Sequence, residues 1–117
     1  MEGGLIIMNP IDDTLCVESI KKIMEIFGGK WSFVIIGKLH EGPTHFNELC
    51  RDLGISTKSL SDALKSLELN GVVTRTVHPT TPVKVEYSLT DKGRDFEQVF
   101  IVMRDWGMKW LKGNVEA

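Results

Sequence analysis

At Gly71 the hydrophobic period of this chain changes from 3.6 residues to 2, and that change limits the folds open to it. Upstream, Leu60, Ala63, Leu64 and Leu67 recur at helical spacing behind Ser56, a good N-cap, and Asn70-Gly71 is a good C-terminal stop. Downstream, residues 72–77 are β-branched and strand-like. Val83, Val85, Tyr87 and Leu89 then alternate with Lys84, Glu86 and Ser88, the pattern of a half-buried antiparallel strand. Pro79 and Pro82 lie between the two runs and cannot donate to a ladder, so residues 78–82 read as the tip of a hairpin. A helix therefore runs straight into a two-stranded ribbon.

Three helical patterns precede it. The first carries Val17, Ile20, Met24 and Phe27 and stops at Gly28-Gly29. The second opens near Lys30, places Trp31, Val34, Ile35 and Leu39 on one face, and ends at Gly42-Pro43. The third is short, with Phe46, Leu49 and Leu53 inward and Gly54 as its stop. Phe46 to Gly71 thus spells a helix-turn-helix, with Ile55 as an apolar plug in the turn and Cys50 small where the helices cross. Thr90 caps a last helix of about 20 residues, over about 91–112. The expected fold is mainly α with a small β-hairpin. It is a winged helix-turn-helix domain over 15–113, with N- and C-terminal dimerisation helices, following an N-terminal arm of residues 1–14.

With its apolar residues inward, the fourth helix presents Thr57, Lys58, Ser59, Ser61, Asp62 and Lys65 behind Ser56. These short donors and acceptors with two long cations suit a major groove. Arg75, Thr76, His78 and Lys84 fall on the wing, within reach of phosphates or a minor groove. The formal net charge of -2 argues the other way. Between Ser56 and Ser88, however, Lys58, Lys65, Arg75 and Lys84 outnumber Asp62, Glu68 and Glu86, and local potential is what a phosphate backbone senses.

In the last helix Phe96, Val99, Met103, Trp106 and Trp110 recur at three and four, a heptad seam that Phe100 widens. Gly107 lets another backbone approach, so this stripe is the expected dimer interface. Cys16, placed just before the first helix, is either a packing residue or a sensor thiol. A helix start pulls it toward thiolate while Asp12, Asp13 and Glu18 push back. Cys50 reads as packing. His40, His45 and His78 are isolated, with no paired metal spacing. No phosphate loop, nucleophile elbow or defined carboxylate pair occurs, so no enzyme, cofactor or metal is expected. The longest apolar run, residues 33–36, is too short for a bilayer, and the N-terminus has no signal-peptide pattern, so the expected compartment is the cytoplasm.

These segments together resemble the HxlR-type winged helix-turn-helix regulators of bacteria and archaea. The likeness rests on Cys16, Gly28-Gly29-Lys30-Trp31, Gly42-Pro43, Phe46-Asn47-Glu48-Leu49, Gly54-Ile55-Ser56 with Leu60, Leu64 and Leu67-Glu68, and Gly71. Val85 to Thr90, Gly93 and Trp106-Gly107 complete it. Val17 follows Cys16 where the family commonly has proline, Lys58 stands where arginine is frequent, and His78 replaces a frequent tyrosine. The resemblance implies a homodimer that binds a pseudo-palindromic operator in double-stranded DNA, often one responding to oxidants or electrophiles through the N-terminal cysteine. Two alternatives stand beside it: a winged helix used for protein contact, and a sensor of a small-molecule effector bound at the dimer interface.

Overall fold

Each helix ends where its residues stop supporting it. In the computed structural model, which describes residues 14–111, α1 spans Thr14–Phe27, α2 Ser32–Leu39, α3 Phe46–Leu53 and α4 Thr57–Leu69. Gly54 follows α3 at φ 64°, the left-handed conformation that costs a glycine nothing, and the Ile55 N–H bonds back to the Cys50 carbonyl at 3.2 Å. Ile55 drops into the core at this turn. Ser56 then caps α4, its Oγ accepting the Ser59 N–H at 3.1 Å. At the far end the Val72 N–H bonds to Leu67 O, and Thr90 Oγ1 donates to Gly71 O at 2.6 Å. Lys92 Nζ donates to Asn70 O at 2.7 Å, so the chain leaving the wing clasps the end of α4.

Three strands follow the order β1-β3-β2, all antiparallel: β1 Thr44–His45, β2 Val73–His78 and β3 Lys84–Leu89. The hairpin is the expected one, and its inward side carries Tyr87 and Leu89 with Val85 partly covered. Val83 lies beyond the strand and is exposed. β1 is new: two residues just before α3, with Thr44 opposite Tyr87 and His45 opposite Glu86. The core gathers Ile35, Ile36 and Leu39 of α2, Leu49 of α3, Leu60, Leu64 and Leu67 of α4, and Val72, Val73, Tyr87 and Leu89 of the sheet. On α2 it is Ile36 that turns inward and Val34 that faces out, a one-step rotation from the expected stripe.

The last helix is not continuous. It divides into α5 (Asp91–Asp95) and α6 (Glu97–Trp110), with Phe96 between them at φ -73°, ψ -11° and its N–H bonded three residues back to Gly93. Phe96 turns into its own subunit, stacking on Phe27 at 4.3 Å and lying 5.7 Å from Phe33. Phe100 sits against Gly37, where an added Cβ would come within 2.7 Å of its ring, and it tilts beside His40. α6 can approach α2 this closely only because residue 37 has no side chain. Residues 1–13 of the expected arm, Asp12 and Asp13 among them, lie outside the described residues, as do 112 and 113. No described helix is long and apolar enough to cross a membrane.

Candidate nucleic-acid interface

The amino end of α4 is open to solvent, so its positive dipole end and free N–H groups are available to an anion. Thr57, Lys58, Ser61, Asp62 and Lys65 are exposed around it, while Ser59 is half-buried. Lys58 Nζ is 3.2 Å from Asp62 Oδ2, one helical turn on, so its charge is engaged locally in the free protein. Ser59 and Asp62 face a shallow hollow of about 400 Å³ shared with Trp31 and Glu25, on the α1–α2 side. Ser61 faces the other way. It lines an open groove of about 650 Å³ together with Arg75 and Lys84 of the wing and Phe46 and Asn47 of α3. The expected binding residues therefore divide: Ser61, Arg75 and Lys84 meet in one groove, Lys58 and Lys65 stand on the outer crest of α4, and Ser59 turns aside. Thr76 is exposed on β2, opposite Glu86.

The wing is braced near its tip, where His78 and Lys84 form the last pair of the ladder. His78 Nε2 lies 3.3 Å from Glu86 Oε1, which occupies the ring rather than leaving it free for a phosphate. The expectation that the histidines are isolated is corrected here. The β1-β3-β2 order brings His45, His78 and Glu86 together, with the donor atoms of all three within 4.8 Å of one another. No sequence period links these positions, and a two-residue strand is too short to show one. Glu48, the third residue of α3, takes the His45 backbone N–H at 3.2 Å and lies 3.1 Å from His45 Nδ1. Those two hydrogen bonds hold its carboxyl below the ordinary carboxylate range, the backbone one contributing most. Lys38 joins α2 to α3, 3.1 Å from Glu41 and 3.2 Å from Asp52, and its bonds to these carboxylates raise its pKa.

Cys16 lies within α1 rather than before it, because the helix already includes Thr14. Its thiol is free and half-buried. Cys50 is free and packs against the core from α3. Of the expected interface stripe, Phe96 and Phe100 are spent inside the subunit, while Val99, Met103, Trp106 and Trp110 are exposed. Gly107 is half-buried, and a Cβ there would meet no atom within 4 Å. On α1, the expected N-terminal dimerisation helix, Val17, Ile20, Ile23 and Met24 are exposed as well.

The HxlR-like helix-turn-helix family matches residues 26–115. The HTH-type transcriptional regulator YodB of Bacillus subtilis is 40% identical over 95 residues, spanning 80% of this chain and 84% of its own. An HTH-type regulator of Synechocystis, sll1512, is 35% identical over 105 residues, spanning 89% of this chain and 78% of its own. Among solved structures, the redox regulator HypR in its reduced form superposes with a TM-score of 0.74 at 32% identity, covering 82% of this chain and 98% of that one. The reduced form of YodB superposes at 0.70 with 39% identity, covering 79% and 91%. On this sequence match and this shared fold, the chain belongs to the HxlR-like helix-turn-helix family.

Proposed function

We propose that this protein is a cytoplasmic homodimeric transcriptional regulator whose two α4 helices enter successive major grooves of a pseudo-palindromic site. The observation that carries the reading is the groove in which Ser61 of α4 meets Arg75 and Lys84 of the wing. It aligns a base-reading helix with cations suited to the flanking backbone. Relatives named as transcriptional regulators support the same conclusion and leave no enzymatic reading. The dimer is supported by two exposed apolar faces, Val17, Ile20 and Met24 on α1 and Val99, Met103, Trp106 and Trp110 on α6. Faces of that kind are the usual mark of a partner surface. Titrating salt against binding to random duplex DNA tests the reading. Counterion release makes log K fall steeply with log salt for a DNA binder, whereas a winged helix used only for protein contact shows no such slope.

A second reading concerns Cys16. Its free, half-buried thiol lies on α1, the helix whose apolar face would meet a second subunit. HypR, a redox regulator by name, is known in oxidised and reduced forms, and YodB in reduced and diamide-treated forms. Modifying Cys16 would shift the spacing of the two α4 helices, and a few ångströms suffice because both must fit fixed half-sites. DNA binding by wild type and Cys16→Ser is compared before and after mild oxidant or quinone. Loss confined to wild type supports the sensor; an equal response in both proteins makes Cys16 a packing residue.

A further inference from the structure

We propose that His45, His78 and Glu86 form a binding site for one divalent transition-metal ion of the zinc class, which straps the wing to the helix-turn-helix. Strand register alone assembles the three side chains. His45 ends β1 opposite Glu86 on β3, and His78 on β2 is the diagonal neighbour of Glu86 across the hairpin. His78 Nε2 is 3.3 Å from Glu86 Oε1, and His45 Nε2 is 3.8 Å from Glu86 Oε2. Two ligands bonded tetrahedrally to zinc at about 2.0–2.1 Å stand about 3.3 Å apart, so small side-chain rotations complete the geometry. Two imidazoles and one carboxylate are a known zinc donor set that leaves a fourth position for water.

The surroundings of His45 suit a metal ligand. Its Nδ1 lies 3.1 Å from the Glu48 carboxylate, while its Nε2 lies 3.8 Å from Glu86 Oε2, too far for a hydrogen bond and wide enough for an ion between them. Glu48 stands where an outer carboxylate stands in many metal sites, fixing the ring and raising the basicity of the coordinating nitrogen. The consequence is mechanical as well as chemical. Because β1 leads directly into α3, an ion bound here would join the wing strands to the helix-turn-helix at a point bordering the Ser61 groove, which both His45 and Glu48 line.

The full-length protein, stripped with a chelator, is titrated with ZnCl2 by calorimetry and with CoCl2 by visible absorption. Glu86→Gln, His78→Ala and Glu48→Gln are run beside it. The expected result is one ion per chain and cobalt d–d bands without a thiolate charge-transfer band. Glu48→Gln, which can still cap α3, should weaken binding about 10–100-fold, and loss of His78 or Glu86 at least as much. Glu86→Gln keeps the side-chain shape, so a loss there is not a folding defect, and circular dichroism checks each variant. Binding by wild type no tighter than by Glu86→Gln and His78→Ala would overturn the site. A thiolate band would also overturn it, by placing the metal on Cys16 or Cys50.

Discussion

Phe27 and Phe96 stack at 4.3 Å with their planes 20° apart, joining the end of α1 to the break between α5 and α6. Phe33 lies 5.8 Å from Phe27 and closes a three-ring cluster. The cluster divides the C-terminal stripe in two: Phe96 packs against the subunit core, while Val99, Met103, Trp106 and Trp110 stay exposed.

Removing Phe27 should therefore cost fold stability directly. Phe27 is buried, and Phe27→Ala is expected to lose about 3–5 kcal/mol by denaturant unfolding at fixed protein concentration. Phe96→Ala, at a half-buried site, is expected to lose less. The double variant should reveal a coupling of about 0.5–1.5 kcal/mol from the stacked pair. Purely additive losses would mean that the rings are independent.

Trp106 should behave oppositely. Its side chain is 58% exposed in the single chain, so Trp106→Ala removes little from the subunit core. As a buried anchor of a dimer it would carry more than about 2 kcal/mol, roughly thirtyfold in the dimer dissociation constant. Sedimentation velocity should show monomer at concentrations where wild type is dimeric. An intact dimer would move the interface away from α6, leaving the α1 face as its seat.

These contrasts mark how far the sequence could be read. Ser56, Gly54 and Gly71 announce the limits of α4 because caps and turns act through the residues beside them. Tyr87 and Leu89 announce β3 because a half-buried strand must alternate. The break at Phe96 was hidden, since a heptad seam continues in register whether its first aromatic faces a partner or its own core. Val34 and Ile36 could not be told apart by a stripe that fits both. The meeting of His45, His78 and Glu86 was hidden for another reason. It depends on which strands are neighbours, and the strand that brings His45 is two residues long. The stripe of α1 was legible from the spacing of Val17, Ile20 and Met24, and with it the expectation of an N-terminal dimerisation helix.

On the DNA-facing side, wing and helix should separate experimentally. Arg75→Ala and Lys84→Ala are expected to weaken binding to all sequences alike and to lower the salt slope by about one each, as phosphate contacts do. Ser61 and Lys65 substitutions should alter which bases are preferred, with a cost of about 1–3 kcal/mol on the best site. Selection from randomised duplexes distinguishes the two groups. Altered base preference in the wing variants, with unaltered preference in the α4 variants, would reverse the assigned roles.

A dimeric regulator of this design requires two α4 helices reading one duplex together. Hydroxyl-radical footprinting of a fragment selected by the protein from a random duplex pool, at saturating protein, measures that directly. The expected footprint is two-fold symmetric, with half-sites centred about 10–10.5 base pairs apart or a multiple of that spacing. A single unsymmetrical protected half-site, or a pool that yields no enriched fragment, would contradict it.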